Sequence, residues 1–368
     1  MQNIGSKNLL TINQPIDVHC HGIGQYDFTE LDQLNLTDIE ALLSERKQQA
    51  ILTLYLLPEQ YENFFDVLKT FTEGKEKGYF KQIKGFALEG PLLASHGGTP
   101  HKGVWNPTKK QWQALAECGK DGLIYVIFSP DAELNPHENS NVNFPAKDTT
   151  WIAETLLSGG VLPAAGHFVK HNPYQSAQAL QKIYDAVAAW GQGPTVTDHL
   201  YNDMPRNFKH AWRTTAEREQ RQKDIENLNL ASWNINNIEE KLGIIPATMI
   251  KNAQKGLVKI AQNFDGEHVD LAIVRKTVEI TGAENMLLMT DSIESHRLAG
   301  RHLKQFQPST LLYQNENLVA AGTQPIEQQI HNMRSIGLSD IEINQIACQS
   351  MSYVLKQRQN FFELAEVI

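Results

Sequence analysis

The chain has 368 residues, of which 41% are apolar and 20% are charged, and its formal net charge is -9. This length exceeds that of an average domain but fits a single α/β barrel with insertions, and the composition is that of a soluble globular protein. The negative charge argues against nucleic acid or an anionic membrane surface as the main partner. We therefore expect a small-molecule substrate, no nucleic acid and no membrane.

The cysteines and the N-terminal sequence indicate in which cellular compartment the protein is expected. Cys20, Cys118 and Cys348 are widely spaced and odd in number, which argues against a disulfide framework or a cysteine-based zinc site. Residues 1–10 lack the apolar stretch of a signal peptide, and no apolar run approaches the roughly 18 residues of a membrane span. These features predict a cytoplasmic protein.

Short apolar runs alternate with longer stretches of helical period, which is typical of βα units around a parallel sheet. Strands are predicted at 15–19, 50–57, 83–89, 123–129, 161–167, 195–199, 257–264 and 286–291. Helices are predicted at 36–48, 60–75, 110–118, 149–157, 176–190 and 269–281. The fold class is therefore predicted as α/β, a (β/α)8 TIM barrel, because the first strand is not followed by the glycine-rich loop of a doubly wound sheet.

The remaining stretches are predicted as additions to this barrel. The polar stretch 208–254 is expected to insert two helices between strands six and seven, as a lid, an oligomer contact or a solvated surface. After strand eight we predict a hairpin at 310–321 and helices at 325–336 and 338–356, the second with a capping-box pattern from Ser339 to Glu342. Since no linker interrupts the pattern, residues 1–368 are predicted to form one domain.

Polar side chains of the metal-ligand type stand at the ends of five predicted strands. They are His19, His21, Glu89, His167, His199 and Asp291. The carboxyl ends of barrel strands converge on one mouth, where chemistry is located. His19 and His21 are two residues apart on a strand, so their side chains point to the same face. Imidazole and carboxylate together suit zinc, iron or a similar divalent ion.

Each of these residues also has an ordinary structural explanation. Glu89 precedes Gly-Pro and could be a turn residue, and Asp291 could cap the segment after it. An acidic residue at the end of an apolar strand, however, costs several kcal/mol if it is buried without a partner. Together, the residues would leave several buried polar groups unsatisfied if no cation were bound. The joint pattern therefore predicts a metal site.

The chain resembles the N-acetylglucosamine-6-phosphate deacetylases of the metal-dependent amidohydrolase superfamily, over roughly residues 14–350. The motifs that carry the resemblance occur in the family's order: DVHCHG at 17–22, LEGP at 88–91, GH at 166–167, HLYNDM at 199–204, FDGEHV at 264–269 and MTD at 289–291. Of these, LEGP and HLYN are the specific ones, whereas the HxH and Thr-Asp patterns occur across the superfamily.

The resemblance implies a role for each motif. Glu89, His167 and His199 would be the main metal ligands, and His19 and His21 would bind a second metal that only some family members hold. Zinc is the first candidate, with iron or another divalent ion as alternatives. Because strand four contains no lysine, Glu89 would take the position of the carbamylated lysine that bridges metals elsewhere in the superfamily.

The resemblance also implies the catalytic groups and the assembly. Asp291 would act as the acid/base that takes a proton from water and delivers it to the leaving amine, and His101 would polarise the acetyl carbonyl. His268 and the backbone of Asn202 and Asp203 would contact the sugar. Family members are commonly homodimers, so a homodimer is expected here.

Three departures from the family leave the substrate open. Few residues precede strand one, so the family's small β-sandwich domain is expected to be absent or reduced. His210 takes the place of the family's phosphate-binding arginine by direct count, with Arg206 and Arg213 nearby but not aligned. The 208–254 stretch follows at once and could reshape the pocket.

Three functions remain in view. The first is removal of the acetyl group from an N-acetylated amino sugar, most simply N-acetylglucosamine-6-phosphate, to give acetate and the free amino sugar. The second is an amidohydrolase for a different, unphosphorylated N-acyl or cyclic amide. The third is a binding or scaffold protein on the same fold. A scaffold would be expected to lose the ligands or the aspartate, and all are present.

Overall fold

The computed structural model describes residues 14–133, 148–169, 171–204, 208, 211–314 and 318–365. The strands are Ile16–Cys20 (β1), Gly22–Ile23 (β2), Tyr26–Asp27 (β3), Gln49–Leu54 (β4), Ile83–Glu89 (β5), Leu123–Phe128 (β6), Leu162–Ala165 (β7), Thr195–Val196 (β8), Val258–Asn263 (β9), Met286–Met289 (β10), Arg297–Leu298 (β11), Arg301–His302 (β12), Lys304–Gln305 (β13), Leu311–Tyr313 (β14) and Val319–Gly322 (β15). The helices are Leu36–Glu45 (α1), Tyr61–Glu76 (α2), Lys109–Glu117 (α3), Thr150–Ser158 (α4), Pro173–Trp190 (α5), Thr215–Glu226 (α6), Ile238–Leu242 (α7), Ile244–Gln254 (α8), Leu271–Thr281 (α9), Ile326–Ser335 (α10), Asp340–Asn344 (α11) and Ser350–Ala365 (α12).

Parallel strands form the body of the fold, in two sheets. One sheet has the order β1-β4-β5-β6-β7 and the other the order β10-β9-β8. A parallel bridge between Ala165 and Thr197 joins the two sheets beside β7 and β8. On the other side, the Asp291 amide donates to the His19 carbonyl at 2.9 Å, just after β10 and within β1. The prediction of an α/β protein around a curled parallel sheet is confirmed.

The apolar runs become strands that are buried on both faces. Every residue of β6 is buried, as expected for a strand of a parallel sheet that is covered by helices. One apolar cluster takes side chains from all eight parallel strands of the two sheets: Ile16, Val18, Ile51, Ala87, Ile124, Ile127, Leu162, Val196, Ala261, Leu287 and Met289. Two larger clusters lie between the strands and the helices. The alternation of apolar runs and amphipathic stretches thus accounts for one apolar cluster among the strands and two between the strands and the helices.

The ends of the helices follow local signals in the sequence. The Asn35 side chain accepts from the Thr37 and Asp38 amides at the start of α1. The predicted capping box is present, since the Ser339 hydroxyl accepts from the Glu342 amide and the Glu342 side chain returns to the Ser339 amide. The helix predicted to end at 356 continues to Ala365, with a π-helical segment at Gln345–Gln349.

The stretch 208–254 differs from the prediction of two helices. Three helices, α6, α7 and α8, lie within its described residues. Gly243, with a φ of 90°, separates α7 from α8, and this conformation is one that glycine adopts without strain. Helix α8 is largely buried and packs against α5 and β9, whereas α6 buries none of its residues. No helix of the described part of the chain is long and apolar enough to cross a membrane.

A small antiparallel sheet lies over the segment that follows β5. The predicted hairpin is present as β14 and β15, and β13 adds a third strand. The Gln314 side chain donates to the Gly98 carbonyl. A Cβ atom on Gly98 would lie only 2.1 Å from the Val319 carbonyl oxygen. This close backbone approach requires glycine and fixes the hairpin beside the carboxyl end of β5.

Candidate metal centre

Buried imidazoles and carboxylates meet at the carboxyl ends of the parallel strands. Their exposed fractions are 4% or less: His19 1% and His21 0% at β1, Glu89 2% at β5, His167 1% after β7, His199 3% after β8, and Asp291 4% after β10. Because the strands are parallel, the residues at their carboxyl ends come together although they are far apart in the sequence. The structure therefore brings together all six residues that the strand ends suggested.

One group of donor atoms surrounds a single oxygen of Glu89. Oε1 lies 2.8 Å from His167 Nε2 and 3.9 Å from His199 Nε2. Glu89, His167, Asp198 and His199 each offer a ligand atom, and these atoms all lie within 4.8 Å of one another. We call these four residues group A.

The other oxygen of Glu89 faces a second group. Oε2 lies 3.1 Å from His19 Nε2 and 3.2 Å from His21 Nε2. Asp291 Oδ1 is 3.2 Å from His21 Nε2, and the two histidine Nε2 atoms are 3.3 Å apart. Ligand atoms of His19, His21 and Asp291 also lie within 4.8 Å of one another, and we call these three residues group B. The Glu89 carboxylate therefore stands between two groups of donors.

The second ring nitrogen of two histidines is engaged by protein oxygens. His167 Nδ1 lies 3.0 Å from the Ser95 carbonyl, and His21 Nδ1 lies 3.3 Å from the Thr53 carbonyl. A carbonyl only accepts, so both Nδ1 atoms carry their proton. In the neutral imidazole Nε2 then holds a lone pair, and this lone pair faces the Glu89 carboxylate. Such an arrangement is that of a histidine that is oriented to bind a metal.

The donor set fits a divalent metal. Lone pairs that face one another in a buried site require a cation between them, either protons or a metal ion. Donors bound to one zinc ion at about 2.1 Å lie roughly 3.4 Å apart at tetrahedral angles. The distances of 2.8 to 3.9 Å from Glu89 Oε1 to the two Nε2 atoms of group A span this value. Imidazole nitrogen with carboxylate oxygen suits zinc and iron(II).

Electrostatics keep Glu89 and Asp291 ionised. Burial raises the pKa of Glu89, but hydrogen bonds from His167 and three further histidines outweigh it and hold this pKa well below its usual value. Burial also raises the pKa of Asp291, but the hydrogen bond from His21 and the charges of neighbouring histidines lower it to about 2. Burial lowers the pKa of His21, whereas Asp291 and Glu89 raise it to about 10. In the metal-free protein the His21 imidazole therefore holds a second proton, which a metal would replace.

Several residues of the site adopt a left-handed backbone conformation. The φ angles are 51° for His167, 46° for Asp203 and 50° for Asp291. Residues other than glycine rarely adopt positive φ, and such strain concentrates where a function fixes the side chain. At these positions the turn at the strand end, rather than the strand itself, aims the side chain into the site.

Asp291 also contacts a histidine outside the two groups. Its Oδ2 lies 3.3 Å from His268 Nε2, and His268 Nδ1 is hydrogen-bonded to the Asp265 carboxylate. His268 is fully buried. The structure thus places His268 between two aspartates, and its expected contact with a sugar stays a prediction.

Of the other predicted substrate and catalytic residues, Asp203 contacts the centre, Asn202 is buried, and His101 and Arg213 are exposed. Asp203 Oδ2 is 3.1 Å from His167 Nδ1, so its side chain contacts a candidate ligand. Asn202 is 8% exposed, and within the described structure its Oδ1 has no hydrogen-bond partner. His101 is exposed, with its ring centroid 4.3 Å from that of His96. Arg213 is exposed and pairs with Glu217 at 2.9 Å.

Two residues of the sequence prediction cannot be placed, and one residue of the site was missed. His210 and Arg206 lie outside the described residues. Asp198, which the sequence analysis did not choose, belongs to group A. The available signal was its position directly before His199 at a strand end.

A surface cavity lies beside this centre rather than over it. It has a volume of about 800 Å³ and is lined by residues that include Ser95, Asp131, His171 and Lys182. None of the candidate ligands lines it. Ser95 connects the two, since its carbonyl accepts from His167 Nδ1 at 3.0 Å. The cavity thus begins where the segment after β5 passes the site.

No protein-family model matches the chain, and no curated protein matches it. Solved structures do match. The N-acetylglucosamine-6-phosphate deacetylase of Pasteurella multocida has a TM-score of 0.65 and 14% identity, covering 94% of this chain and 77% of that one. The Thermotoga maritima enzyme of the same name has a TM-score of 0.63 and 16% identity, covering 94% and 78%. A variant of the Mycobacterium smegmatis enzyme, in complex with N-acetyl-D-glucosamine-6-phosphate, has a TM-score of 0.63 and 18% identity, covering 94% and 77%.

The chain shares their fold. At 14–18% identity the likeness extends no further than the architecture, and at this level the resemblance seen in the sequence motifs is confirmed. The shared part is most of the molecule, because 94% of this chain is covered in each comparison.

Proposed function

We propose that the protein is a metal-dependent hydrolase that removes the acetyl group from an N-acetylated amino sugar. N-acetylglucosamine-6-phosphate is the first candidate substrate, and acetate and the free amino sugar would be the products. The observation that carries the proposal is the Glu89 carboxylate, which lies 2.8 Å from His167 on one side and 3.1 Å from His19 on the other. The shared fold supports it, since the similar structures are deacetylases named for this substrate.

The metal would be held by residues of both groups. Glu89, His167 and His199 would hold a first ion, and His19 and His21, beside Glu89, would hold a second. Zinc is the first candidate, with iron(II) or another divalent ion as alternatives. When bound, the metal supplies an acidic water near neutral pH and a positive charge for a developing oxyanion. One or two ions per chain are compatible with this donor set.

The protein's own residues would handle the proton and orient the substrate. Asp291 is ionised, as its pKa of about 2 indicates, and would accept the proton of the attacking water. It would then deliver this proton to the amine nitrogen as the carbon–nitrogen bond breaks. His268 Nε2, 3.3 Å from Asp291 Oδ2, would hold this carboxylate in position. His101, on the segment after β5, would polarise the acetyl carbonyl.

We further infer that the two parallel sheets close into one (β/α)8 barrel, a single domain in which 208–254 is an insertion. The apolar cluster with side chains from all eight parallel strands supports this closure. The main-chain contacts at Ala165–Thr197 and His19–Asp291 support it at both junctions of the sheets. A cytoplasmic homodimer remains our proposal from the sequence, and gel filtration with light scattering tests the dimer.

One observation favours a second candidate function, an amidohydrolase for a different N-acyl or cyclic amide without phosphate. The guanidinium of Arg213 is paired with Glu217 at 2.9 Å, and both side chains are exposed. A phosphate that used this arginine would have to displace that ion pair. The substrate of this alternative would present the same amide carbonyl to the metal but would carry no phosphate.

The test is a panel of acetate-release assays on the metal-loaded protein. The panel pairs N-acetylglucosamine-6-phosphate with N-acetylglucosamine, N-acetylgalactosamine-6-phosphate and several N-acetyl amino acids. Turnover that is strongest for N-acetylglucosamine-6-phosphate would support the first candidate, and preference for an unphosphorylated compound would support the second. Absence of acetate release from every N-acetyl sugar by metal-loaded protein would contradict the proposed deacetylase.

A further inference from the structure

We propose that Asp198 is a fourth protein donor to the metal position of group A, which would then hold two carboxylates and two imidazoles. The inference rests on the proposed metal-dependent function and assigns an additional residue to its metal site.

The Asp198 side chain is completely buried. Its exposed fraction is 0%, and within the described structure neither carboxylate oxygen has a hydrogen-bond partner. A buried carboxylate with no hydrogen bond is costly unless a cation lies beside it. The surrounding groups are histidines: His167 Nε2 at 3.2 Å, His199 Nδ1 at 3.3 Å and His19 Nδ1 at 3.7 Å. Asp198 therefore depends on a cation that these histidines share.

The position of His167 indicates that this cation is the metal ion proposed for group A. His167 Nδ1 is taken up by the Ser95 carbonyl at 3.0 Å and by Asp203 at 3.1 Å. Its Nε2 therefore faces both carboxylates, with Glu89 Oε1 at 2.8 Å and Asp198 Oδ2 at 3.2 Å. One proton on Nε2 cannot point well at two oxygens, whereas a metal ion can be bound by all three atoms. The three atoms form one face of a coordination site.

The neighbouring backbone leaves room for this arrangement. A Cβ atom on Gly166 would lie 2.4 Å from Asp198 Oδ2 and 2.6 Å from Asp198 Cβ. Any other residue at 166 would thus push the carboxylate out of place. The Asp198 amide also donates to the Ala165 carbonyl at 3.2 Å, which fixes the main chain beside β7. Gly166 therefore provides the space that the Asp198 carboxylate occupies. These two residues directly precede the candidate ligands His167 and His199.

The experiment compares metal binding by wild type and Asp198→Asn, which keeps the shape of the side chain but removes its charge. Asp270→Asn is the matched control, because Asp270 is a buried carboxylate at the N-terminus of α9, where asparagine caps equally well. The affinity for the first equivalent of Zn²⁺ is measured by competition with a chromophoric chelator. X-ray absorption of the zinc-loaded proteins counts the nitrogen and oxygen ligands.

We expect Asp198→Asn to bind the first zinc ion more than about 100-fold more weakly, a larger loss than that for a group that only orients a ligand. The zinc ion should also lose one oxygen neighbour, while the control matches wild type. Unchanged affinity would overturn the inference, and so would weaker binding with an unchanged coordination shell, because Asp198 would then act by orienting histidines. Thermal unfolding in excess chelator shows whether the variant is folded, and Asp198→Ser serves as the second variant if it is not.

The same measurements separate this inference from the proposed function. Wild type that binds no zinc at micromolar concentration would contradict both. Wild type that binds zinc but releases no acetate would contradict the deacetylase alone, and the comparison with Asp198→Asn would still decide the role of Asp198.

Discussion

At the scale of single residues, the candidate site is a set of buried charges that stabilise one another. Glu89 is 2% exposed and lies close to nitrogen atoms of four histidines. A carboxylate at this depth without cations would cost several kcal/mol. Protonated His21 and His167 satisfy it in the metal-free protein, and a divalent ion would satisfy it in the loaded protein. The same atoms therefore serve the stability of the fold and its chemistry.

Replacing Asp291 by asparagine should abolish most of the activity while leaving the metal bound. An amide cannot accept the proton of water, so kcat for acetate release should fall by about 10²- to 10⁴-fold. The first equivalent of zinc should bind as in wild type, because the residues of group A are untouched. Asp270→Asn, which also converts a buried carboxylate to an amide, should keep full activity. Activity of Asp291→Asn within threefold of wild type would contradict the role of Asp291.

A second carboxylate, Asp27, should make the stability of the protein depend on pH. Burial raises its pKa from 3.8 to about 6, although its Oδ1 accepts from the Thr29 amide. Because the folded protein holds this proton more tightly than the unfolded chain, the stabilisation is full below pH 3.8 and is lost as the pH rises through 6. The loss amounts to about 3 kcal/mol.

Urea unfolding of wild type and Asp27→Asn, with chelator present, measures this effect. Relative to the variant, wild type should lose about 3 kcal/mol of unfolding free energy between pH 4 and pH 7. A difference between the two proteins that does not change with pH would show that Asp27 has the same pKa in both states.

Residue identity alone was enough to choose most of the site, but not Asp198. The histidines and Glu89 were predicted because they interrupt apolar runs at the ends of strands. Adjacent residues on a strand point to opposite faces, so a strand that continued to residue 199 would direct only one of Asp198 and His199 into the site. The structure ends β8 at Val196, and Asp198 and His199 then lie in a turn that directs both into the site. The sequence does not reveal where such a strand ends.

At the scale of elements, the last helix, α12, packs against the end of the parallel sheet at which strands β6 and β7 begin, opposite the candidate site. Arg358 on α12 is 7% exposed, and its guanidinium donates to the carbonyls of Gly119, Leu123 and Gly160, at 2.6 Å for Leu123 and 2.5 Å for Gly160. These carbonyls stand at the start of β6 and just before β7, away from the site. The sequence prediction ended this helix at 356, because a buried arginine cannot be recognised without its three carbonyl partners.

Replacing Arg358 by methionine should therefore lower stability without changing the chemistry. Methionine fills part of the space but removes the donors that Arg358 supplies to three buried carbonyls, at a cost of about 1–3 kcal/mol for each carbonyl that stays unpaired. Lys356→Met, which removes a charge from an exposed position of the same helix, is the control.

Thermal unfolding and acetate release give the two readouts for this pair. The melting temperature of Arg358→Met should fall by several degrees, while its kcat/KM at low temperature and its zinc content should equal those of Lys356→Met. A drop in zinc content in the folded variant would contradict a purely structural role for Arg358.

At the scale of the whole molecule, the alternation of apolar runs with helical stretches predicted the fold class. The local sequence pattern did not predict how the two parallel sheets join. Strand β8 has only two residues, so its neighbours are connected by single contacts such as that of Ala165 with Thr197. Such contacts depend on the positions of distant strands rather than on local sequence. The number of helices in 208–254 was also missed, because Gly243 divides the segment 238–254 into α7 and α8.

The most direct test of the account is acetate release from N-acetylglucosamine-6-phosphate during a metal titration. Protein stripped of metal by a chelator is titrated with zinc or iron(II), with Glu89→Gln as the control. We predict no release without metal, a rise to a plateau at one or two equivalents per chain, and no release by Glu89→Gln at any metal concentration. Release by the stripped protein at the rate of the loaded one, or full activity of Glu89→Gln, would contradict the claim that the metal centre at Glu89 carries out the hydrolysis.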